Sequence, residues 1–241
     1  MENAHIVKSF DQDLSQVESL ILEMGGLVED QIMKSINALI SRDEELAQKV
    51  RQADKAIDAK ESEIDDLALK ILALRQPMAS DLRNVICAMK VSSNLERIGD
   101  YSKNIAKRTM ALSDSVRVGT AEKTLKRMGK AVERMVHDVL DAYIAKDVKM
   151  ADELIARDEE VDQLHNTLFR ELLTYMMEDP RNITPCMHLL FIAKNIERMG
   201  DHTTAVAEQV HYVVTGAMPE DDRTKRDVTS QMTADLGVDG N

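Results

Sequence analysis

The phrase that decides the fold is written twice in this chain, as NLERIGD at residues 94–100 and as NIERMGD at residues 195–201. Each copy places a glutamate and an aspartate four residues apart. In a helix such residues share a face, with Cβ atoms about 6 Å apart, so their like charges repel. The glycine between them costs a further ~1 kcal/mol relative to alanine in a helix interior. Because both copies keep these unfavourable features, we expect the phrase to serve a binding function.

The repeat extends well beyond this phrase. Residues 24–43 match residues 128–147 at an offset of 104, and the same offset holds at Asp58 and Asp162. The offset then falls to 101 at the repeated phrase, so the two copies differ by three residues in the intervening turn. Two copies of a unit of about 100 residues therefore account for nearly all of the chain before Gly216.

Composition and periodicity predict an all-α fold of six long helices, three in each copy. The chain has 9 Gly, 4 Pro and 3% aromatic residues, which leaves few turns and few strand-forming residues. Ser80 or Asp81 is expected to cap the third helix, and Thr184 before Pro185 resembles a helix start with proline in the first turn. The predicted helix breaks lie near residues 41–43, 75–81, 113–119, 146–147, 179–185 and 216–219.

These breaks predict a first domain at residues 5–113 and a second at 118–216. The tail at 217–241 is polar and aperiodic, and we expect it to be flexible.

The charge balance and the apolar pattern exclude several classes of protein. With 31 Lys and Arg against 43 Asp and Glu, the net charge is -12, which argues against a nucleic-acid surface. The apolar runs are far shorter than the ~20 residues of a membrane span. The N-terminus does not resemble a signal peptide. Cys87 and Cys186 match neither a disulfide framework nor a zinc spacing, so we expect buried thiols and a cytoplasmic location.

A second acidic pair precedes the repeated phrase in each copy. In the first copy it is Asp54 with Asp58, centred at residue 56, whereas the pair Glu96 with Asp100 is centred at 98. The midpoint is Pro77, so an antiparallel hairpin bent there brings the two pairs level. The same arithmetic holds in the second copy. On helical wheels both pairs lie to the same side of the apolar stripe, which predicts one outer acidic groove per copy.

Four carboxylates so close together raise one another's pKa or push the helices apart, and a bound cation removes the conflict. All-oxygen ligands favour hard divalent or trivalent ions. The alternative is that these are solvated helix faces, because 43 acids in 241 residues give about eight such pairs by chance. The predicted first acidic cluster is Asp54, Asp58, Glu96 and Asp100, and the second is Asp158, Asp162, Glu197 and Asp201.

A few further residues have two readings. Asp81 suits the dipole at a helix start, and a partner contact by Asp81 and Arg83 is the alternative. Gly99 and Gly200 either permit close helix contact or are local weaknesses. His202 adjoins the second cluster, although its place in the first copy is taken by tyrosine.

The duplicated helices, the twin ERIGD and ERMGD motifs, RQPMASDLR at 75–83 and LLTYMMED at 172–179 together resemble the PhoU family, over about residues 5–216. The resemblance implies two tandem three-helix bundles related by pseudo-twofold symmetry, and a cytoplasmic protein without an established enzymatic reaction. It also implies metal ions on the eight acids of the two clusters. The family varies in its metal, so Mg, Mn, Fe and Zn all stay open.

The resemblance further implies a negative regulator of phosphate uptake and of the phosphate-starvation response. Such a protein is an adaptor between PstB, the ATP-binding subunit of the phosphate ABC transporter, and the sensor histidine kinase PhoR. It is expected to be a homodimer that reaches the membrane only through these partners. Two rival interpretations stay open. The first is a carboxylate-bridged metal enzyme or metal-storage bundle. Against it, no histidine stands three residues after either glutamate of the clusters, where the usual di-iron pattern has one. The second is a helical spacer without a ligand.

Overall fold

The computed structural model describes residues 2–115 and 117–219, with side chains from Phe10 onwards. Within these ranges the regular structure is entirely helical, which confirms the predicted fold class. A short 3₁₀ turn at Pro180–Asn182 precedes the last helix. The α-helices are α1 (Glu2–Ser41), α2 (Glu44–Arg75), α3 (Ser80–Ala111), α4 (Ala121–Ala145), α5 (Val148–Glu178) and α6 (Ile183–Thr215).

The helices form two three-helix bundles, α1–α3 and α4–α6, that share one continuous apolar core. Between the bundles, α1 packs on α4 and α3 packs on α6, so the repeat-equivalent helices meet. Both contacts are antiparallel. Gly25 lies against Leu140 and Ile36 against Gly129 in the first, and Lys90 lies over Tyr212 and Arg108 over Phe191 in the second. This pairing is the pseudo-twofold arrangement that the family resemblance implies. It places the α2–α3 and α5–α6 turns at opposite ends of the molecule.

The helix ends follow local chemistry at the predicted breaks. Asp43 and Asp147, equivalent in the repeat, cap α2 and α5 by accepting hydrogen bonds from the backbone N–H groups of Leu46 and Met150. Gly216 ends α6 in a left-handed conformation with φ 79°, which glycine adopts without strain.

The start of α3 differs from the prediction. The N-cap position is Ala79, with φ 48° and no side-chain cap. Ser80 and Asp81 therefore lie inside the first turn and do not cap the helix. At α6 the helix begins at Ile183, so Pro185 does lie in the first turn as predicted, although Thr184 is not the cap.

Both cysteine thiols are buried and unbonded to each other, as expected. Burial raises the pKa of each thiol, because the thiolate loses solvation. None of the described helices has an apolar stretch long enough to span a lipid bilayer. The flexibility predicted for residues 217–241 falls, from residue 220 onwards, outside the described residues.

Candidate metal centres

The first acidic cluster is built around a lysine. The Nζ of Lys103 donates to Asp54 Oδ2 at 2.5 Å and to Asp100 Oδ1 at 2.9 Å. The hairpin of α2 and α3 therefore brings these two acids level, as the midpoint arithmetic predicts. From α1, Gln31 Nε2 donates to Asp54 Oδ1 at 3.3 Å. Three helices thus contribute to the cluster, whereas the sequence indicates only two.

The other two carboxyl groups of this cluster, those of Glu96 and Asp58, have raised pKa values. Burial, with Asp100 and Glu61 nearby, raises the pKa of Glu96 to about 7. Partial loss of solvation, and then the neighbouring Asp54, raise the pKa of Asp58, although Lys103 opposes the shift. The single positive charge of Lys103 therefore does not neutralise all the carboxylates that the α2–α3 hairpin brings together.

Glu61 extends the acidic surface of α2 by one turn and is not among the acids predicted from the sequence. Burial and neighbouring Asp65 raise the pKa of Glu61. Its repeat-equivalent position holds His165, so a search for matching acids in the two copies could not find it. The indication in the sequence was that Glu61 lies three residues after Asp58, on the same face of the helix.

The predicted position of the acidic grooves on the outer surface is partly wrong, because some of their carboxylates are buried. The exposed fraction is only 3% for Asp54 and 5% for Glu197, whereas Asp58 is exposed. The clusters therefore run from the bundle interior to its surface. In the first bundle the reason is α1, whose Gln31 faces Asp54 and covers it.

The second acidic cluster depends on close contact between α5 and α6. A Cβ atom added to Gly200 would lie 2.4 Å from Asp158 Oδ1, so the carboxylate rests directly on the glycine. In the first bundle a Cβ on Gly99 would lie 2.9 Å from Ile57 Cδ1. Both glycines therefore serve close helix contact, which decides between the two readings in the sequence. Asp158 is also level with the repeated phrase, as predicted.

Each acidic cluster contains a lysine, but the two lysines are not at equivalent positions of the repeat. Lys194 Nζ donates to Glu197 Oε1 at 2.7 Å in the second bundle. The repeat-equivalent of Lys194 is Ser93, and that of Lys103 is Thr204. The signal in the sequence was the three-residue spacing of each lysine from an acid, which permits contact on one helix face.

The donor atoms suit a hard cation, since the predicted ligands are all carboxylate oxygens. The raised pKa values of Glu96 and Asp58 also show that more positive charge can be accommodated. Among the described residues, however, no group of three or more His, Cys, Asp or Glu side chains is arranged to hold a metal ion. Lys103 lies between two of the predicted ligands, so the metal role of the eight acids stays a prediction.

Residues in and next to the two repeated phrases meet across the interface between α3 and α6. Repeat-equivalent Tyr101 and His202 contact each other, with ring centroids 5.6 Å apart and the hydroxyl 3.4 Å from Nε2. His202 Nδ1 donates to Asn94 Oδ1 at 2.8 Å. Burial lowers the pKa of His202, which favours the neutral ring. The imidazole of His202 therefore joins the bundles.

The two candidate partner residues lie at one end of the molecule. Asp81 is half-buried in the first turn of α3. The guanidinium of half-buried Arg83 faces the end of α6, 3.4 Å from where a Cβ on Gly216 would lie. This geometry gives Arg83 a contact within the chain, and a partner contact stays a prediction.

Together these features define a duplicated all-α protein with an acidic cluster in each bundle. The family model for the PhoU domain matches residues 21–109 and 125–210, one segment in each bundle. The chain therefore belongs to the PhoU family, as the motifs indicate.

Relatives match over almost the whole chain. The phosphate-specific transport system accessory protein PhoU homolog of Rhizobium meliloti is 46% identical over 232 residues, covering 96% of this chain and 98% of the relative. The protein of the same name from Zymomonas mobilis is 51% identical, covering 93% and 94%.

Solved structures agree with this fold. PhoU from Pseudomonas aeruginosa has a TM-score of 0.83 and 41% identity, covering 86% of this chain and 100% of that chain. The phosphate transport system regulatory protein PhoU from Streptococcus pneumoniae has a TM-score of 0.82 and 32% identity, covering 88% and 99%.

Proposed function

We propose that this chain is a cytoplasmic accessory protein that restrains phosphate uptake and the phosphate-starvation response. The observation that carries the proposal is the match of both bundles to the PhoU domain, together with near full-length relatives named for the phosphate-specific transport system. The duplication supports an adaptor, because two similar bundles offer related surfaces to two partners. We assign these partners as PstB and PhoR, and we propose a homodimer without enzymatic activity.

Exposed apolar residues at the two helix turns support this adaptor role. Leu69 on α2 and its repeat-equivalent Leu173 on α5 are 56% and 40% exposed. Met78 and Met177, near the α2–α3 and α5–α6 turns, are 79% and 87% exposed. Flexible methionine side chains suit surfaces that adapt to a partner. Because the turns lie at opposite ends, one molecule can contact two proteins at once.

We also propose that the two acidic clusters bind hard divalent or trivalent cations. A cation on the first cluster would relieve the stress that raises the pKa of Glu96, and would compete with Lys103 for Asp54 and Asp100. The role of such ions would be electrostatic: they would neutralise the clusters and stiffen the two helix hairpins. The metal-enzyme interpretation requires in addition a turnover at the bound ion.

Metal analysis tests the site. Protein purified without chelator should contain metal, and Glu96→Ala combined with Glu197→Ala should lose most of it. A matched control is Glu44→Ala with Glu153→Ala, which removes two exposed acids outside the clusters. Equal metal content in all three proteins would refute the assignment. Redox or hydrolytic turnover that is lost only in the cluster variant would favour the enzyme instead.

Genetics and co-purification test the adaptor. Deletion of the gene should derepress phosphate-starvation genes in phosphate-rich medium, and unchanged expression would refute the regulatory role. The tagged chain from phosphate-replete cells should retain its PstB and PhoR homologues. Recovery of neither protein, with regulation intact, would show that the regulation acts through other partners.

A further inference from the structure

A basic groove lies on the second bundle, away from the acidic clusters. It is a cavity of about 240 Å³ between α4 and α5, whereas the second acidic cluster lies between α5 and α6. In a chain with a net charge of -12, such a concentration of positive charge is unusual. The cationic side chains that line the basic groove are Arg127, Lys130, Arg134 and Arg157.

Three of these cations share one face of α4, because they are spaced three and four residues apart. The fourth, Arg157, reaches across from α5 and donates to Asp138 Oδ2 at 2.5 Å. Arg127, Lys130 and Arg134 make no ion pair or side-chain hydrogen bond with any residue that the structure describes. Their positive charge is therefore available to a ligand.

The first bundle shows that the repeat does not need this charge in order to fold. At an offset of 104, the four cations correspond to Glu23, Gly26, Asp30 and Ala53. The equivalent face between α1 and α2 is thus acidic, and its acids pair with lysines: Glu23 with Lys60 at 2.7 Å, and Asp30 with a lysine on its own helix at 2.6 Å. The basic groove is a specific property of the second bundle.

We propose that the basic groove binds a small, multiply charged phosphorylated anion such as a di- or triphosphate. Guanidinium groups form paired hydrogen bonds with phosphoryl oxygens, and three of them line the groove. The buried Met135 and the half-buried Ala131 form an apolar floor. Glu160 on the wall and Asp138, which pairs with Arg157, leave two net positive charges. A ligand with several phosphoryl groups can accept hydrogen bonds from more of these side chains than a single phosphate can. This inference does not rest on the proposed function.

Calorimetric titration of the full chain tests the proposal. Chelator is present throughout, so that metal on the acidic clusters cannot bind the anion. Inorganic phosphate, diphosphate and triphosphate are the probes, and affinity should increase in that order and decrease with added salt. Titration with ATP beside triphosphate shows whether the groove reads only the phosphoryl groups or also a nucleoside.

The decisive variant is Arg127→Glu with Arg134→Asp, which installs the residues of the first bundle. Triphosphate affinity should fall about 100-fold, because each charge-assisted hydrogen bond lost weakens binding by roughly tenfold or more. The control Lys70→Glu with Lys107→Glu makes the same charge change at exposed positions elsewhere and should keep most of the affinity. Replacing Arg127 and Arg134 by lysine keeps the charge, so its loss should be intermediate.

Four outcomes would overturn the proposal. They are no binding of any of the three anions at millimolar concentration, unchanged affinity in the charge-reversed variant, an equal loss in the control variant, and tighter binding of a polyglutamate peptide than of triphosphate. The last result would assign the basic groove to an acidic segment of a protein instead. Thermal unfolding of each variant checks that its fold is intact, so that a loss of affinity can be assigned to the basic groove.

Discussion

The two acidic clusters occupy equivalent places in the repeat, yet they are neutralised differently. In the first bundle, Lys103 bridges an acid of α2 and an acid of α3. In the second, the lysine comes from another position of the repeat: Lys194, equivalent to Ser93, donates to Glu197, and Asp158 rests on Gly200. The carboxylates follow the repeat, whereas the cations do not. The hairpin geometry therefore accounts for the collected acids, and each bundle has a separate solution for their charge.

The largest effect is expected from removing the bridging lysine. Lys103→Met leaves the carboxylate of Asp54, which is 3% exposed, without its cation. We expect a loss of about 2 kcal/mol in the free energy of unfolding, below the full value for a buried ion pair because the lysine side chain is partly exposed. Urea denaturation in the presence of chelator measures it. The control Lys107→Met, at an exposed position of the same helix, should stay within about 0.5 kcal/mol of the parent. Equal stabilities would mean that Lys103 does not hold the first cluster together.

A smaller effect should separate the two glycines. Gly200→Ala forces Asp158 Oδ1 from its place, because the new Cβ would lie 2.4 Å away. Overpacking exceeds the gain in helix propensity, so we expect a loss of about 1–2 kcal/mol. Gly99→Ala meets the flexible end of Ile57 at 2.9 Å and should change stability by less than about 1 kcal/mol. Thermal unfolding compares the two variants, and a larger loss for Gly99→Ala would show that the closer helix contact lies in the first bundle.

The smallest effect is a pH dependence of the first cluster. Burial and nearby acids raise the pKa of Glu96 to about 7 in the folded chain. The folded state thus holds this proton more tightly than the unfolded state, so the associated stability is present below the unfolded pKa of about 4.5 and is lost as the pH rises through 7. In chelator, the parent should lose about 1 kcal/mol more than Glu96→Gln between pH 5 and pH 8, which is less than the full pKa shift implies because solvent partly screens the side chain. The control Glu44→Gln should follow the parent, and parallel curves for all three proteins would show that Glu96 is not stressed.

The local features of the fold were predictable because they depend on neighbours in sequence. Apolar periodicity predicts the helices, and Asp43, Asp147 and Gly216 mark their ends. The cap predicted at Ser80 or Asp81 is wrong because the turn after Pro77 gives Ala79 a positive φ of 48° and the helix already begins at Ser80, which is too early for either side chain to cap it.

The cluster geometry was predictable only in part. Equal distances from the α2–α3 turn bring Asp54 and Asp100 level, and this needs only the hairpin. The burial of Asp54 needs α1, and the bridging position of Lys103 needs a rotamer that reaches across two helices. The antiparallel packing of α3 on α6, and with it the contact of Tyr101 with His202, depends on the apolar surface of both bundles together.

The amino-acid sequence by itself determined the six helices, their breaks, the duplication and the pairing of acids along each hairpin. All of these arise from interactions between residues close in the chain or symmetric about one turn. The tertiary structure alone decided which acids are buried, which lysine neutralises them, and that four cations of α4 and α5 line one basic groove. Burial and charge compensation depend on the helices that pack over a side chain, and those helices are distant in sequence.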